Sequence, residues 1–498
     1  MIEDTFLELT EQSLPFAPTE AQREVILRLS RFLFTHEPRA VYMLRGYAGT
    51  GKTSLMSAVV RVLRRVGRDV VLLAPTGRAA KVLAQHSGLS AYTIHKEIYR
   101  QKKAGDLDAH FSLGFNKRKN AVFIVDEASM ITNESSLTAT FGTGSLLEDL
   151  ASYVFQSPTC SLILIGDNAQ LPPVGEDESP ALSIATLRDM RLAVHGYQLT
   201  SVMRQAEQSG ILWNATALRR LLTEDTPQPQ VKVRFASFSD IVNLPGSELV
   251  ETLEADYDRL GQEQVVVVTR SNKRAVEYNL GIRNVVFGRD GGLAVGDVIM
   301  VVRNNYYWIE QLCSDSKQTH EASKEDNASP KAHKTVATTA TNFIANGDIA
   351  IVRHISGRED FYGLHFADVT LQFPDYDDLE LDVRVLLDAL TSEAPALTRE
   401  QSDMLYRGVM EDYAEIRSKA ERIRKLKLDP NYNALQIKYA YAVTCHKAQG
   451  GQWSHVYVDQ GWLPPDGIDR AYLRWLYTAF TRATERLYLV NWPDRLIE

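Results

Sequence analysis

The residues best equipped for chemistry are Gly46-Tyr47-Ala48-Gly49-Thr50-Gly51-Lys52-Thr53, which fit the phosphate-binding pattern G-x-x-x-x-G-K-[ST] at every fixed position. Glycines in such a loop let backbone N–H groups close on phosphate oxygens, and a helix start adds donors and the positive end of its dipole. Lys52 would reach the β- and γ-phosphates, and the Thr53 hydroxyl would ligate Mg2+. Gly49, Thr50, Gly51, Lys52, Thr53 and Ser54 are therefore the expected nucleotide contacts. A second group is Asp126-Glu127, at the end of the apolar run 121–125. Downstream of a phosphate loop, such a pair supplies a carboxylate that holds Mg2+ and a general base that polarises the attacking water. Gln170, in the segment after the apolar run 161–166, is placed to sense the γ-phosphate.

Positioning these groups requires strands and helices of the right kind. The run 40–44 before the loop is apolar and strand-like, and apolar residues at Leu55, Val59, Val62, Leu63 and Val66 after it fall at helical spacing. Residues 69–74 read as a buried parallel strand followed by a helix through Ala79, Ala80, Val82 and Leu83. Strand and helix alternating in this way argue for a doubly wound parallel sheet, whose ligands sit beyond the carboxyl ends of its strands. Pro75-Thr76-Gly77-Arg78 lies at such an end, either as a plain strand-to-helix turn or as a hold on a nucleic-acid phosphate. Residues 18–35 read as an amphipathic helix with Thr19 as N-cap and Val25, Ile26, Leu29, Phe32 and Leu33 as its buried stripe. Gln22 in its first turn is either a solvated helix residue or an amide for the adenine edge.

The 498 residues suffice for about three domains, and 44% apolar composition supports a sizeable core. A net charge of −8 argues against indiscriminate nucleic-acid binding while leaving room for a local basic groove. Cys160, Cys313 and Cys445 lie far apart, suggesting neither a disulfide framework nor a zinc site, and hence a reducing, cytoplasmic setting. No apolar run approaches the ~18 residues of a membrane span. Residues 96–120 form a lysine-rich excursion, either a solvated loop or a hairpin facing nucleic acid. Residues 313–341 lack periodicity and aromatics and read as a mobile loop. Between 343 and 386, the β-like runs 349–352, 361–366, 369–373 and 379–387 point to a small β-barrel, and 397–426 reads as helical. The last block, from 437, returns to α/β.

Taken in order, GYAGTGKT, APTGRAA, TIHK (93–96), VDEAS, GDNAQLPPVG, LTSVMRQ, YAVTCHKAQG and YTAFTRA resemble the motifs of superfamily 1 helicases. TIHK, the short insertion near 100–120 and a barrel just before Thr444 point to the superfamily 1B, RecD-like and Dda-like group, over residues from about 18 to 491. The resemblance implies two RecA-like domains in tandem. The first spans 1–200, with a hairpin insertion at about 96–120. The second spans 201–312 and 431–498, interrupted by the loop 313–341 and by an SH3-like barrel with helices at 342–430.

On that resemblance, Gln22 reads adenine, and Arg204 and Arg482 are arginine fingers approaching ATP from the second domain. Pro75, Thr76, His95, Thr444 and His446 match positions that face single-stranded nucleic acid. The implied activity is ATP- and Mg2+-dependent 5′→3′ translocation on single-stranded DNA with duplex unwinding. The excursion would act as the wedge and the barrel as a guide for the strand. Single-stranded DNA, its junctions with duplex, and replication or repair proteins are the implied partners of a monomeric motor. A chain ending soon after Arg482 suggests a stand-alone motor. A superfamily 1 RNA helicase and a non-unwinding ATPase recruitment subunit are the competing expectations.

Overall fold

The computed structural model describes all residues except 1, 36, 102–110, 134–141, 202–208, 225–229, 313–342 and 464–467. The chain divides into two compact units, one of Met1–Leu249 with Cys445–Glu498 and one of Val250–Thr444. The expected mobile loop 313–341 and the tip of the excursion lie outside the described residues.

The first unit is built on strands β1 (Ala40–Gly46), β2 (Val70–Ala74), β3 (Ala91–Thr93), β6 (Val122–Val125), β7 (Ser161–Gly166) and β8 (Ala193–Leu199). Their order across the sheet is β3-β2-β6-β7-β1-β8, and every pairing is parallel. Both faces of the central strands are covered, so β2, β6 and β7 are near-continuous apolar runs. The two-residue period of β1 divides its side chains between two cores. Tyr42 and Leu44 pack with Val25, Leu29, Leu55 and Val59 on one face, while Val41 and Met43 pack with Phe123, Leu150 and Leu164 on the other.

Four helices with legible sequence signals frame this sheet. Helix α1 (Ile2–Ser13) precedes α2 (Glu20–Phe34), whose N-cap Thr19 forms a complete capping box with Gln22. Helix α3 (Lys52–Arg65) starts directly from the phosphate-loop sequence; its N-cap Gly51 has φ 79°, a left-handed conformation that a side chain would strain. Helix α4 (Gly77–Ser87) is capped by Thr76, whose Oγ1 accepts the Ala79 N–H at 3.2 Å. The excursion forms a short helix, Ile94–Ile98, and an antiparallel ladder of β4 (Tyr99–Gln101) with β5 (Phe111–Leu113). The first unit also holds β9 (Ile241–Leu244).

In the second unit, β10 (Val265–Thr269) pairs in parallel with β16 (Ala442–Thr444). Strands β11 (Val298–Val301), β12 (Ile349–Phe361), β13 (Leu364–Phe373), β14 (Leu379–Leu386) and β15 (Leu435–Tyr439) close into a barrel. The barrel thus takes a strand from each side of 342–430. The expected strand 361–366 is interrupted by a turn at Tyr362-Gly363, both with positive φ, and β12 runs unbroken for 13 residues before it. The sequence hid β12 because its second half is largely exposed and charged rather than apolar. The expected helix 397–426 is two helices, Arg399–Asp412 and Lys419–Lys427.

The chain then returns to the first unit with β17 (Trp453–Asp459), the helix Arg470–Phe480 and β18 (Ala483–Val490). Strand β18 pairs in parallel with both β17 and β9. No helix among the described residues is long and apolar enough to cross a membrane.

Candidate nucleotide site and nucleic-acid face

The phosphate loop leaves the carboxyl end of β1, Asp126-Glu127 leave β6, and the segment with Gln170 leaves β7. Because β7 lies between β1 and β6, the three groups gather at one edge of the sheet. The Lys52 ammonium donates to the carbonyls of Gly46 (2.5 Å) and Tyr47 (3.0 Å) inside the loop. Gln22 is 1% exposed; its Oε1 accepts the Thr19 N–H at 2.9 Å and its Nε2 donates to Thr50 O at 3.1 Å. It therefore braces the loop against α2, using one oxygen contact and one amide hydrogen, and the second amide hydrogen is what adenine could use.

Asp126 Oδ1 accepts the Glu127 N–H at 2.9 Å, and Glu127 sits at φ 52°, a strained conformation for a side-chain-bearing residue. Burial pushes the carboxyl of Asp126 above the ordinary range, with Lys52 and the Glu127 amide drawing it back in part. Glu127 is raised by burial first; Arg482 and Lys52 lower it, and Asp126 and Asp167 raise it. Two carboxylates whose charged forms are disfavoured call for a cation. No cluster of three acid, histidine or cysteine side chains among the described residues could hold a metal alone. Mg2+ commonly takes one or two protein ligands and completes its shell with phosphates and water. Thr53 and Asp126 are the residues that would hold it.

The β7 exit is anchored by the C-terminal segment of the same unit. The Tyr477 hydroxyl accepts the Ala48 N–H of the phosphate loop at 2.8 Å and donates to Asp167 Oδ2 at 2.6 Å. The Leu171 N–H donates to Thr478 Oγ1 at 2.8 Å, and Gln449 Nε2 donates to Leu171 O at 2.7 Å. Between these anchors Gln170 is 7% exposed, and its Oε1 has no protein partner, as suits an acceptor held for a ligand or water. Arg482 is 3% exposed and donates to Thr478 O and Gly451 O, both at 3.1 Å. The structure thus brings Lys52, Asp126, Glu127, Gln170 and Arg482 together, whereas Arg204 lies outside the described residues.

At the same edge, Pro75 and Thr76 follow β2, and His95 lies just beyond β3, with Ala74 paired to Thr93. Burial lowers the His95 imidazole to about 4, so it meets a ligand as a neutral ring. His446 lies in the helical turn Cys445–Ala448, close before Gly450. Gly450 has φ 72°, and a Cβ there would stand 3.2 Å from Thr76 Oγ1 and 3.0 Å from Ala79 Cβ, so the two segments touch. The Arg78 guanidinium lies 3.9 Å from the Trp453 ring centroid and donates to Gln452 O. Thr444 ends β16 in the second unit.

The family described as AAA domain matches residues 19–233, and the UvrD-like helicase C-terminal domain matches 439–490. The chain is 27% identical over 272 residues to the ATP-dependent RecD2 DNA helicase of Deinococcus radiodurans, across 53% of this chain and 34% of that protein. It is 28% identical over 288 residues to the ATP-dependent DNA helicase dda of Enterobacteria phage T4, across 52% of this chain and 55% of that one. The matches span less than two thirds of the length of either relative. Among solved structures, a Pif1 helicase complex described as unwinding forked dsDNA aligns over 97% of this chain and 94% of its own, at 14% identity and TM-score 0.45.

The chain is similar to helicases of the RecD2 and Dda kind.

Its fold is the tandem RecA-like one, with a hairpin in the first α/β sheet and a small closed barrel in the second. Sequence reasoning missed Tyr477, Thr478 and Gln449. Tyr477 reads in sequence as one more apolar-stripe residue of Arg470–Phe480. Its polar end acquires a role only because the fold places it against a loop more than 400 residues away.

Proposed function

We propose that the chain is an ATP-dependent DNA helicase that moves 5′→3′ along single-stranded DNA and opens the duplex ahead of it. The observation that carries the reading is the gathering of Lys52, Asp126, Glu127, Gln170 and Arg482 around the phosphate loop, beside the face formed by Thr76, Gly450 and Trp453. Lys52 swings from the loop carbonyls to the β- and γ-phosphate oxygens. Glu127, desolvated and proton-avid, orients the attacking water and takes its proton. Mg2+, when bound, offsets the charge of the bridging oxygens. Arg482 neutralises charge that develops in the transition state, a contribution worth ~10³–10⁵ in rate when such an arginine is in place.

Coupling to the strand follows from the anchors. Gln170 precedes Leu171, Leu171 is held by Thr478 and Gln449, and Gln449 adjoins Gly450 on Thr76. Loss of the γ-phosphate at Gln170 therefore has a short packed route to the nucleic-acid face, and the alternating grip drives movement. Single-stranded DNA and its junctions with duplex are the proposed partners, with replication or repair proteins beside them.

The test is steady-state ATP turnover with and without single-stranded DNA. Turnover in the wild-type chain should rise with DNA. Lys52→Ala should abolish it, and Glu127→Gln should retain ATP binding while losing hydrolysis. Turnover that survives Lys52→Ala would remove the phosphate loop from the mechanism.

A further inference from the structure

A cavity of about 340 Å3 lies in the first unit beside the phosphate loop, with Tyr47 as the shared wall. On one side, the Tyr47 carbonyl holds the Lys52 ammonium at 3.0 Å; on the other, the guanidinium of Arg219 covers the Tyr47 ring at 4.4 Å from its centroid. Arg219, Arg470 and Arg474 all line the cavity, against one carboxylate, Glu178. Arg474 is 7% exposed and donates to the Asp177 carbonyl. Its charged form is disfavoured by burial and by Arg470 beside it, and Glu178 and Asp177 offset only part of this. Ser179 also faces the cavity; it is 9% exposed, and its Oγ is buried with no hydrogen-bond partner among the described residues. Asn168, two residues before Gln170, completes the side nearest the γ-phosphate position.

An excess of guanidinium around a polar cavity with an unsatisfied hydroxyl calls for a small multivalent anion, because guanidinium forks match phosphate oxygens in pairs. The volume holds about ten waters at ~30 Å3 each, room for a partly hydrated phosphate. The one aromatic ring among the described wall residues, Tyr47, has a face already covered by Arg219, so a nucleobase stacking on that face would have to displace the guanidinium.

We propose that this cavity is a binding site for inorganic phosphate, receiving the phosphate released by hydrolysis as it leaves the nucleotide site past Tyr47. The proposal rests on the ATP-hydrolysing reading above. No bond is made or broken in the cavity; the ion is the second product of ATP and water, and it passes from Lys52 to Arg219, Arg470 and Arg474.

The experiment titrates inorganic phosphate into the nucleotide-free full chain and follows 31P line broadening. In Lys52→Ala protein, which blunts the phosphate loop's own affinity, binding should persist. Adding Arg470→Gln should weaken it by about tenfold or more, the loss of one charge-assisted contact. Arg470 is exposed at the start of its helix, so the substitution spares the core; Arg219→Gln, on another helix, should act in the same direction. In turnover, phosphate should inhibit the wild-type chain without relief by saturating ATP, and Arg470→Gln should remove that component. Phosphate binding abolished by Lys52→Ala alone, or inhibition that is purely competitive with ATP, would overturn the site. Arg470-dependent binding beside a wild-type chain that turns over no ATP would overturn the product-exit role, while absent wild-type turnover by itself refutes the hydrolytic reading.

Discussion

Replacing Tyr477 by phenylalanine removes one oxygen and two hydrogen bonds from the centre of the nucleotide site. The ring stays in place, since Tyr477 is 1% exposed and packed within Arg470–Phe480. What is lost is the acceptor for the Ala48 N–H and the donor to Asp167, whose carboxylate is itself 1% exposed. A neutral amide–hydroxyl bond contributes about 0.5–1.5 kcal/mol net and a bond to a charged group about 1.5–3, so the nucleotide-free chain should lose about 2–4.5 kcal/mol. Asp167 keeps the Ala169 N–H on Oδ1, and the β7 exit keeps Thr478 and Gln449, so the segment should loosen rather than unfold. Loosening the segment that carries Gln170 should lower kcat about tenfold while the KM for ATP changes less than about threefold, because the affected contact serves positioning rather than ground-state binding. Urea unfolding followed by tryptophan fluorescence and steady-state ATP turnover read both quantities. A Tyr477→Phe chain with wild-type stability and wild-type kcat would refute the reasoning.

Two further predictions concern the second unit. Asp297 and Arg283 are both fully buried and paired at 3.0 Å, with Tyr441, Arg289 and the Ala294 N–H also on the carboxylate. Asp297→Ala strands the Arg283 charge and should cost about 3–5 kcal/mol, read as a lower urea midpoint; an unchanged midpoint would contradict the assignment. Asp348 is 2% exposed, and burial raises its pKa to about 7 despite hydrogen bonds from Tyr376 and the Ala345 amide. The folded state therefore binds this proton more tightly than the unfolded chain, and the stabilisation is complete below the ordinary carboxylate pKa of ~3.9 and lost as pH rises through about 7. Thermal stability of the barrel unit should fall between about pH 4 and 7, and Asp348→Asn should flatten that dependence; an unaltered profile would rule Asp348 out as its source.

Much of the nucleotide site is local and therefore legible. Gly51 and Lys52 announce a loop and a helix start, Thr19 and Gln22 a capping box, and Asp126-Glu127 follow a buried strand. Strand order is not local: β7 enters between β1 and β6 by pairings that no window of sequence contains. The barrel was recognisable as a cluster of short β-like runs, but its first and last strands come from either side of that cluster. Tyr362-Gly363 made a turn where an apolar–aromatic run suggested a strand. Gln22 shows a different limit: its residue type suggested a ligand edge, and the structure shows it also ties Thr50 to α2, two roles that one amide can share. Tyr477 and the arginine-lined cavity were invisible because each depends on residues far apart in the chain meeting at one point.

The central claim is that ATP turnover at Lys52 and Glu127 drives directional movement on a DNA strand. The direct measurement is ATP-dependent unwinding of matched duplexes bearing a 5′ or a 3′ single-stranded tail, in DNA and in RNA form, with Glu127→Gln as control. The account predicts opening of the 5′-tailed DNA duplex by the wild-type chain and none by Glu127→Gln. Preference for the 3′ tail or for RNA would contradict the proposed polarity or substrate, and ATP turnover without opening of any tailed duplex would contradict the claim itself.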